Sequence, residues 1–438
     1  MGGRVLRHSA ERHSAERHSA ERYGVERHSA DRRVARGEPV VALAHDYLTQ
    51  RGGAERVALS MGRAFPGAPL YTTLYEPSQT FPEFGALDVR PSSLNRLSPL
   101  RRSHRLALPL LAHDVDAIRV DADVLLVSSS GWAHGMRSSG RKVVYCHAPA
   151  RWLYQTQRYA SGGSMRGAAT RAAVATLGYG LRRWDREAAR SADRYLVNST
   201  VIQRAVRDVY GIEAEVVPPP AACRPAGEED PDPTIEPGFL LVVARLLPYK
   251  NVDAVVRAAG LLGDVDVVVV GAGPDRDRLQ SMAGPRVRFA GTVTDARLRW
   301  LYRHASALVA ASYEDYGLAP LEAGAFGRPA IALRDGGFLD TVREGVSGVF
   351  FDTPEAEPIA RAIERARATA WDAATIAAHA DSFSEESFID RLRTVVADVA
   401  GRTPLSAPAA PLAAPVPTPS PVPAPVATGD TAEIPVAA

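Results

Sequence analysis

The sequence predicts an α/β protein with two Rossmann-like domains and an unstructured tail at each end. Three observations support this fold class. Short runs of Val, Ile, Leu and Ala alternate with helical stretches along residues 38–401, which is typical of parallel strands buried on both faces of a sheet. The pattern stops at the Pro-, Glu- and Asp-rich stretch 218–237 and then begins again. The chain has 438 residues, enough for two domains of ordinary size.

Composition excludes several classes of protein. Lys and Arg total 52 against 50 Asp and Glu, which is too balanced to predict a nucleic-acid partner. Cys146 and Cys223 stand far apart without metal-ligand spacing, so we expect neither a disulfide framework nor a metal site. No apolar run is long enough to span a bilayer, and no secretory signal is visible. We therefore expect a cytoplasmic protein without metal, cofactor or nucleic acid.

Both ends of the chain differ in composition from the middle. Residues 7–32 repeat the unit Arg-His-Ser-Ala-Glu, which has little apolar surface to offset the entropy of ordering. From Pro404 to Ala438 the chain holds ten of its 33 prolines, and proline removes the backbone donors of helices and sheets. We expect disorder over residues 1–37 and 402–438. Adventitious metal binding by the His-rich repeat is the alternative.

Between the tails, the hydrophobic pattern predicts two domains joined by a linker. The first domain covers residues 38–220, the linker 221–236 and the second domain 237–401. A closing helix over about Glu385–Ala400 follows Ser384, which suits an N-cap. The strands predicted in the first domain are Val40–Ala44, Val124–Ser128, Val143–Cys146, Tyr195–Asn198 and Glu215–Val217. Those predicted in the second are Phe239–Ala244, Val265–Val270, Val287–Phe289, Ala307–Ala310, Ala330–Leu333 and Val349–Phe351.

The strongest functional signal is the segment Tyr313–Glu322, which follows a predicted strand. A helix is expected to begin near Pro320, because proline suits the first turn. Free backbone N–H groups at a helix start can hold a phosphate. The carboxylates of Glu314 and Glu322 flank that place and can accept hydrogen bonds from sugar hydroxyls. The alternative is that Glu314 is a solvated loop residue and Glu322 an ordinary residue of a helix.

A second signal follows the first strand of the second domain. Ligands of open parallel sheets bind beyond the carboxyl ends of the strands, so we expect Arg245 and Lys250 to face the same crevice as Glu314. Two cations there would stabilise the charge that develops on a pyrophosphate leaving group. The alternative is that they form ion pairs with Asp253 or Asp264.

The first domain carries a weaker signal at the ends of its strands. His45-Asp46-Tyr47 follows the first strand, and Gly52 and Gly53 precede a helix. Consecutive glycines allow the backbone to approach a phosphate or sugar closely. His147 follows another strand and is expected at the same rim, although a lone histidine is as often structural as functional.

One glycine-rich segment imitates a dinucleotide-binding fingerprint. Gly271-Ala272-Gly273 follows a hydrophobic strand, but Pro274 and two charged residues come next where a third glycine is needed. We interpret this segment as a loop that lines a nucleotide site, and not as an NAD site.

Taken together, these motifs resemble those of glycosyltransferase family 4, whose GT-B fold has two Rossmann-like domains facing across a cleft. The motifs occur in the family's order: the Glu-x7-Glu pair Glu314 and Glu322, the pair Arg245 and Lys250, and the glycine-containing stretch 336–348. Residues 45–56 resemble the subgroup of bacterial mannosyltransferases of surface-polysaccharide assembly. The resemblance covers about residues 39–400.

In the second domain, the resemblance implies roles for the charged residues. Glu322 would hold the ribose hydroxyls, Glu314 would contact the donor hexose, and Arg245 and Lys250 would bind the diphosphate. The chain departs from the family at Asp340, where Glu is more usual after the Gly-Gly loop.

The resemblance also implies roles for backbone and first-domain residues. His147 would lie beside the donor sugar, and Gly53 with its neighbour Gly52 would pack against the phosphates. The backbone of residues 316–318 would bind the donor, and the base would be recognised near Val293. The residues of that backbone segment are Tyr316, Gly317 and Leu318.

The activity implied by the resemblance is retaining transfer of a hexose from a nucleotide-sugar to a glycan or a polyprenyl- or lipid-linked acceptor. The subgroup favours GDP-mannose as donor, and no metal is expected. Two alternatives remain from the same fold, because fold alone does not fix function. One is a sugar-nucleotide epimerase or hydrolase, and the other is a non-catalytic nucleotide-sugar-binding module.

Two cationic stretches of the first domain suggest contact with a membrane. Leu94–Leu111 mixes arginines with leucines, and Arg182–Arg186 mixes them with Trp184, a composition that suits an anionic surface. We therefore expect docking at the inner face of the plasma membrane. The alternative is a pair of ordinary amphipathic helices with leucines in the core, and we expect Pro99 and Pro109 to interrupt any long helix.

Overall fold

The computed structural model of the chain describes residues 39–102, 104–154, 168–221 and 223–401. The predicted fold class is confirmed: two parallel sheets, one of seven strands and one of six, each carry helices. The predicted tails, residues 1–37 with their repeats and residues 402–438 with their prolines, lie outside the described residues.

The first sheet has the strand order β3-β2-β1-β5-β7-β8-β9, and β4 pairs separately with β6. The strands are β1 Val41–His45, β2 Leu70–Thr72, β3 Val89–Pro91, β4 Arg119–Val120, β5 Val124–Ser129, β6 Arg137–Ser138, β7 Arg141–Cys146, β8 Arg194–Val197 and β9 Glu215–Val216. The helices are α1 Gly53–Ala64, α2 Ser98–Arg102, α3 His104–Ala117, α4 Arg151–Tyr154, α5 Ala168–Arg190 and α6 Thr200–Tyr210. All five predicted strands are confirmed. The sequence pattern missed β2, β3, β4 and β6, because strands of two or three residues are too short to show a period.

The second sheet has the strand order β12-β11-β10-β13-β14-β15. Its strands are β10 Leu240–Val243, β11 Val267–Val270, β12 Val287–Gly291, β13 Ala307–Ala310, β14 Ala330–Leu333 and β15 Gly348–Phe351. The helices that follow β10 are α7 Val252–Leu262, α8 Arg276–Met282, α9 Asp295–His304, α10 Leu318–Ala325, α11 Phe338–Thr341, α12 Ala356–Ala368, α13 Ala373–Asp381 and α14 Glu385–Val399. All six predicted strands are confirmed.

Both sheets are buried on both faces, as their apolar strands require. In β7, Val143 and Tyr145 join one apolar core, and Val144 and Cys146 join the core on the opposite face. In β11 all four consecutive valines are buried. These cores fix the strands, and the strand ends in turn fix the loops that carry the polar residues.

The last helix, α14, follows the second domain in the chain but packs on the first. Ser384 caps it as predicted, with Oγ accepting from the backbone N–H of Ser387 at 3.2 Å. Phe388 and Leu392 are buried in the core between the first sheet and α1. Glu385 accepts a hydrogen bond from Ser60 of α1 at 2.6 Å. The helix therefore ties the end of the described chain to the first sheet.

The prediction that Pro109 interrupts a helix is wrong. Helix α3 runs through Pro109 from His104 to Ala117, although a proline inside a helix removes one backbone donor and crowds the carbonyl four residues before it. Pro99 lies in the first turn of α2, where a missing N–H has no intrahelical partner to lose.

Candidate functional site

A tight loop joins β13 to α10 and ends at Gly317. This glycine has φ +94° and precedes the first helical residue, Leu318, so the helix starts two residues before Pro320. A Cβ at Gly317 would lie 2.5 Å from Cδ1 of Phe338, which leaves no room for a side chain. The first turn of α10 thus lies at the carboxyl end of the second sheet, where open parallel sheets bind ligands.

Lys250 and Glu314 meet beside this helix start. Their side chains form an ion pair, and Glu314 also accepts a hydrogen bond from Ser312 Oγ at 2.6 Å. Asn251, with φ +54°, follows Lys250 and donates to the carbonyl of Ala311 at 2.9 Å, which joins the two loops. The structure therefore brings together two residues that stand 64 positions apart in the sequence.

The alternative partners proposed for the two cations are wrong. Asp253 pairs with Arg257 of the same helix, and Asp264 pairs with Arg367, because these arginines are close neighbours on the surface. Arg245 is exposed, and its Nη2 donates to the hydroxyl of Tyr249 at 3.1 Å. Arg245 and Lys250 both lie on the loops after β10, as expected.

Glu322 lies inside the protein and not in solvent. Its side chain is on α10, and the residue is 9% exposed. The hydroxyl of Tyr302 donates to Oε2 at 2.7 Å, and the backbone N–H of Cys223 donates to Oε1 at 3.2 Å. Burial and the nearby Glu322 carboxylate raise the pKa of Tyr302 well above its ordinary value. Two hydrogen bonds from the protein therefore hold the Glu322 carboxylate in place.

The glycine-rich loop after β11 packs against the loop that carries Arg245. A Cβ at Gly271 would lie 1.9 Å from the carbonyl oxygen of Ala244, and one at Gly273 would lie 2.1 Å from that of Leu246. The glycines therefore serve the close approach of two backbone segments. Val293 lies after β12, half-buried against the core of the second domain.

Asp46 organises a loop at the rim of the first domain. The buried carboxylate accepts the backbone N–H groups of Trp132 at 2.9 Å and Ala133 at 2.6 Å. A carboxylate with several backbone donors is held firmly. The motif His45-Asp46-Tyr47 thus fixes the chain after β5 through its middle residue.

The glycine pair of the first domain lies at the start of α1. Gly52 is the N-cap, and a Cβ there would lie 2.7 Å from Oε2 of Glu55. A Cβ at Gly53 would lie 3.5 Å from Cδ1 of Leu318 in the second domain. Two predicted donor-binding residues from different domains are therefore neighbours.

His147 is buried at the end of β7, with only 9% of its surface exposed. Its Nε2 lies 2.8 Å from Ser128 Oγ. Burial, followed by the nearby His45 and Arg151, lowers the pKa of His147 to about 3. The imidazole is therefore neutral at physiological pH.

A string of hydrogen bonds runs from His147 into the second domain. Asn198 donates to the carbonyl of His147 at 3.3 Å, and Ser199 donates to Asn198 at 3.1 Å. Ser199 Oγ also lies 2.5 Å from the carbonyl oxygen of Asp315. Arg151 forms an ion pair with the carboxylate of Asp315. The rim that carries His147 is thus tied to the loop that carries the predicted hexose contact.

Asp340, the departure from the family pattern, makes a second connection between the domains. Its carboxylate accepts from the backbone N–H and the hydroxyl of Thr200, both at 2.8 Å, at the positive end of the α6 dipole. The hydroxyl of Tyr316 donates to the carbonyl of Pro219 at 2.9 Å. Sequence reasoning missed Thr200; a Ser-Thr pair before a helix signals a cap but does not name a partner in another domain.

Two family models match adjoining parts of the chain. Residues 51–222 match the model for Glycosyltransferase Family 4, and residues 228–370 match that for glycosyl transferases group 1. The chain belongs to the GT-B glycosyltransferases. The predicted family is confirmed.

Curated relatives of this glycosyltransferase include two D-inositol 3-phosphate glycosyltransferases. That of Acidothermus cellulolyticus is 33% identical over 205 residues, which is 40% of this chain and 46% of the relative. That of Mycolicibacterium gilvum is 35% identical over 190 residues, 40% of this chain and 41% of the relative. The chain thus matches less than half the length of these relatives.

Solved structures share the fold at low sequence identity. HepE of Anabaena, crystallised in complex with UDP-glucose, has a TM-score of 0.58 and 18% identity, covering 82% of this chain and 99% of that one. The lipopolysaccharide outer core galactosyltransferase WaaB has a TM-score of 0.55 and 16% identity, with the same coverage. Both support the GT-B fold of this glycosyltransferase.

Neither a metal-binding cluster nor a membrane-spanning helix is present in residues 39–102, 104–154, 168–221 and 223–401. No group of three or more His, Cys, Asp or Glu in these ranges is arranged to hold a metal ion. No helix in the same ranges is both long and apolar enough to cross a membrane.

The leucine- and arginine-containing stretch of the glycosyltransferase is partly core and partly surface. Leu94 and Leu100 pack on the core of the first domain and Leu111 is fully buried, whereas Leu97 and Leu110 are exposed. Side chains of residues 103–109 lie outside the described part.

The second cationic stretch does not expose its tryptophan as a membrane anchor. The Trp184 ring packs on the core, 5.5 Å from that of Trp132. Arg183 is exposed and pairs with Glu187 on the same helix. The periodicity of α5 turns the half-buried Trp184 towards the core of the first domain.

Proposed function

We propose that this chain transfers a hexose from a nucleotide-sugar to a hydroxyl of a glycan or lipid-linked acceptor, with retention of anomeric configuration. The observation that supports this most is the Lys250–Glu314 pair beside the start of α10. Leu318, the first residue of that helix, meets Gly53 of the other domain. A cation, a carboxylate and a helix start at a domain boundary suit a sugar diphosphate.

In this proposal each charged residue has a separate task. The diphosphate lies against Lys250, Arg245 and the N-terminus of α10, where positive charge stabilises the leaving group. Lys250 then exchanges the carboxylate of Glu314 for a phosphate, which leaves Glu314 able to accept a hydroxyl of the hexose. The ribose hydroxyls donate to Glu322, and His147 lies on the other side of the hexose.

The bond changes need no protein base. The acceptor oxygen forms a bond to the anomeric carbon while the bond from that carbon to the phosphate oxygen breaks. The proton of the acceptor hydroxyl moves to that phosphate oxygen on the same face of the sugar. The protein contributes positioning and charge stabilisation. Transfer that is unchanged by a metal chelator is expected, since Lys250 and Arg245 supply the positive charge.

For the donor we propose GDP-mannose, on the subgroup resemblance of residues 45–56. HepE, which shares the fold, was crystallised with UDP-glucose, so a uridine donor is the alternative. Titration calorimetry with GDP-mannose, UDP-glucose and UDP-N-acetylglucosamine compares them directly. Tight binding of a UDP-sugar with no binding of GDP-mannose would overturn this choice of donor.

Transfer can be separated from the alternative functions by its products. An acceptor-dependent release of nucleotide, with the sugar recovered on the acceptor, is expected. Nucleotide release that does not depend on acceptor would indicate a hydrolase, and an altered sugar still attached to nucleotide would indicate an epimerase. Binding without any product would indicate a non-catalytic binding module.

We further propose that the first domain docks on an anionic membrane to reach a lipid-linked acceptor. Leu97 follows Arg96 in the chain, and both are exposed, as is Arg102 at the end of α2; apolar and cationic side chains together suit an anionic interface. Flotation with anionic vesicles at low salt is expected for the wild type and reduced for Leu97→Ser. Leu261→Ser is the matched control, because Leu261 is equally exposed but lies in the second domain. Failure of the wild type to float would favour a water-soluble acceptor.

A further inference from the structure

A row of four buried polar side chains leads from α1 to His147. Its members are Glu55 on α1, His45 at the end of β1, Ser128 in β5 and His147 after β7. The parallel register places His45 opposite Ser128. Ser128 Oγ lies 3.0 Å from Nδ1 of His45 and 2.8 Å from Nε2 of His147. Nε2 of His45 lies 3.8 Å from Oε1 of Glu55.

The carboxylate of Glu55, at the start of this row, is ionised and almost enclosed. Glu55 is 1% exposed, and Gln50 donates to its Oε1 at 3.0 Å. Burial raises the pKa of Glu55, but the neighbouring His45 imidazole and the hydrogen bond from Gln50 outweigh this effect, so the pKa is below its ordinary value. Its other oxygen, Oε2, is buried without a partner among the described residues. Gly52 leaves room for that oxygen, since a Cβ there would lie 2.7 Å away.

The directions of the hydrogen bonds in this row follow from the negative charge of the Glu55 carboxylate. A carboxylate beside Nε2 of His45 favours the tautomer with its proton on Nε2, so Nδ1 of His45 is an acceptor. The hydroxyl of Ser128 then donates to Nδ1 of His45. Having one proton, Ser128 can only accept from His147. The proton of neutral His147 must therefore be on Nε2, and its Nδ1 carries a lone pair.

We propose that Glu55, His45 and Ser128 are positioning residues that hold His147 as its Nε2–H tautomer, with Nδ1 as a hydrogen-bond acceptor for a sugar hydroxyl. No described residue donates a hydrogen bond to this Nδ1. The inference rests on the proposed function for its substrate, but the tautomer is a property of the protein alone. It also gives Gly52 a task other than phosphate binding: to make room for the carboxylate of Glu55.

The tautomer can be measured without any activity. In two-bond ¹H–¹⁵N spectra of full-length protein labelled with ¹⁵N-histidine, the two tautomers give different nitrogen shifts. Comparison with His147→Gln assigns the residue among the 11 histidines. The wild type is expected to show His147 as the neutral Nε2–H form at pH 8. A wild-type His147 with its proton on Nδ1 would overturn the proposal, whatever the variants do.

Removing a member of this row of side chains should allow His147 to adopt either tautomer. Ser128→Ala removes the hydroxyl with little change of volume, and Glu55→Gln removes the charge; both are expected to shift His147 towards a mixture of tautomers. Ser306→Ala is the matched control, because Ser306 donates only to a backbone carbonyl in the second domain. If His147 remains entirely in the Nε2–H form in both Ser128→Ala and Glu55→Gln, the positioning role is refuted.

Kinetics then separate this inference from the proposed function. In Ser128→Ala we expect kcat/KM for the donor to fall about tenfold or more, as when a functional histidine loses its outer partner, whereas Ser306→Ala retains the wild-type value. If the wild type transfers no sugar while its tautomer is as expected, the proposed function fails and the positioning role stands. If the tautomer shifts in Ser128→Ala but kcat/KM does not, the tautomer has no part in donor use.

Discussion

Glu322 offers the sharpest test of the nucleotide site, because its structural role and its proposed role in ribose binding can be tested separately. Its carboxylate accepts from Tyr302 and from the backbone of Cys223, and we propose that it also accepts from ribose. Replacement by alanine would leave two buried donors unpaired and so would confuse folding with binding. Glu322→Gln retains the shape and one acceptor oxygen but loses the charge.

The expected loss of affinity follows from the charge of the acceptor. A hydrogen bond to a charged group contributes about 1.5–3 kcal/mol, and each 1.36 kcal/mol is a factor of ten, so Glu322→Gln should weaken donor binding about tenfold to a hundredfold. It should also destabilise the fold by about 1–3 kcal/mol, because the amide cannot accept at both positions.

Tyr302→Phe is the matched control for that stability loss. It removes the buried hydroxyl that donates to Oε2 at 2.7 Å but leaves the carboxylate in place. We expect a lower melting temperature in both variants, measured by calorimetry, and weaker nucleotide-sugar binding only in Glu322→Gln. If Glu322→Gln binds the donor as tightly as the wild type, the ribose role is wrong. If both variants lose affinity equally, packing and not the carboxylate controls the site.

Three further predictions address a charge, a titration and a core contact. Lys250→Ala should raise the donor dissociation constant about thirtyfold or more, since a charged partner of the diphosphate is lost; unchanged titration calorimetry would count against the site. Because the folded-state pKa of His147 is lowered to about 3, its contribution to stability should be lost as pH falls from about 6.5 towards 3, by about 1.4 kcal/mol per pH unit. Urea unfolding at pH 7 and pH 5 should therefore show a larger pH effect in the wild type than in His147→Gln; equal effects would contradict burial of the neutral ring. Leu392→Ala should cost about 2–5 kcal/mol in urea unfolding by leaving a cavity under α14. Thr394→Ala, at a half-buried position of the same helix, should cost less, and equal losses would argue against the packing of α14 on the first sheet.

The fold could be predicted because its signals are local. The four valines of β11 are buried on both faces, and such a run identifies a parallel strand without reference to its neighbours. The N-cap Ser384 and the glycine at position 317 likewise act within a few residues of the elements they end or begin. Where the elements are very short, as in β2, no period exists for sequence reasoning to find.

Partners across the chain could not be predicted in the same way. Proximity in sequence offered Asp253 only as the alternative partner of Lys250. The expectation that Lys250 faces the same crevice as Glu314 came from the general rule for parallel sheets, and the two residues pair where the ends of β10 and β13 meet. The same holds for α14. The sequence shows that this helix has an apolar face, but it does not show which of the two apolar sheets that face covers. Both outcomes depend on strand order, which the local pattern does not contain.

Assembly of the site and contact between the domains depend on the same groups. Ser199 caps α6 and also reaches the carbonyl of Asp315, beside Glu314. Its neighbour Thr200 binds Asp340, so the shorter carboxylate at a position where the family more often has Glu is used for a contact between domains. Burial raises the pKa of Asp340, while its two hydrogen bonds from Thr200 act in the opposite direction. Burial of a carboxylate is costly without such donors. Asp340 therefore favours the arrangement in which the two domains meet and His147 lies near the loop that carries Glu314.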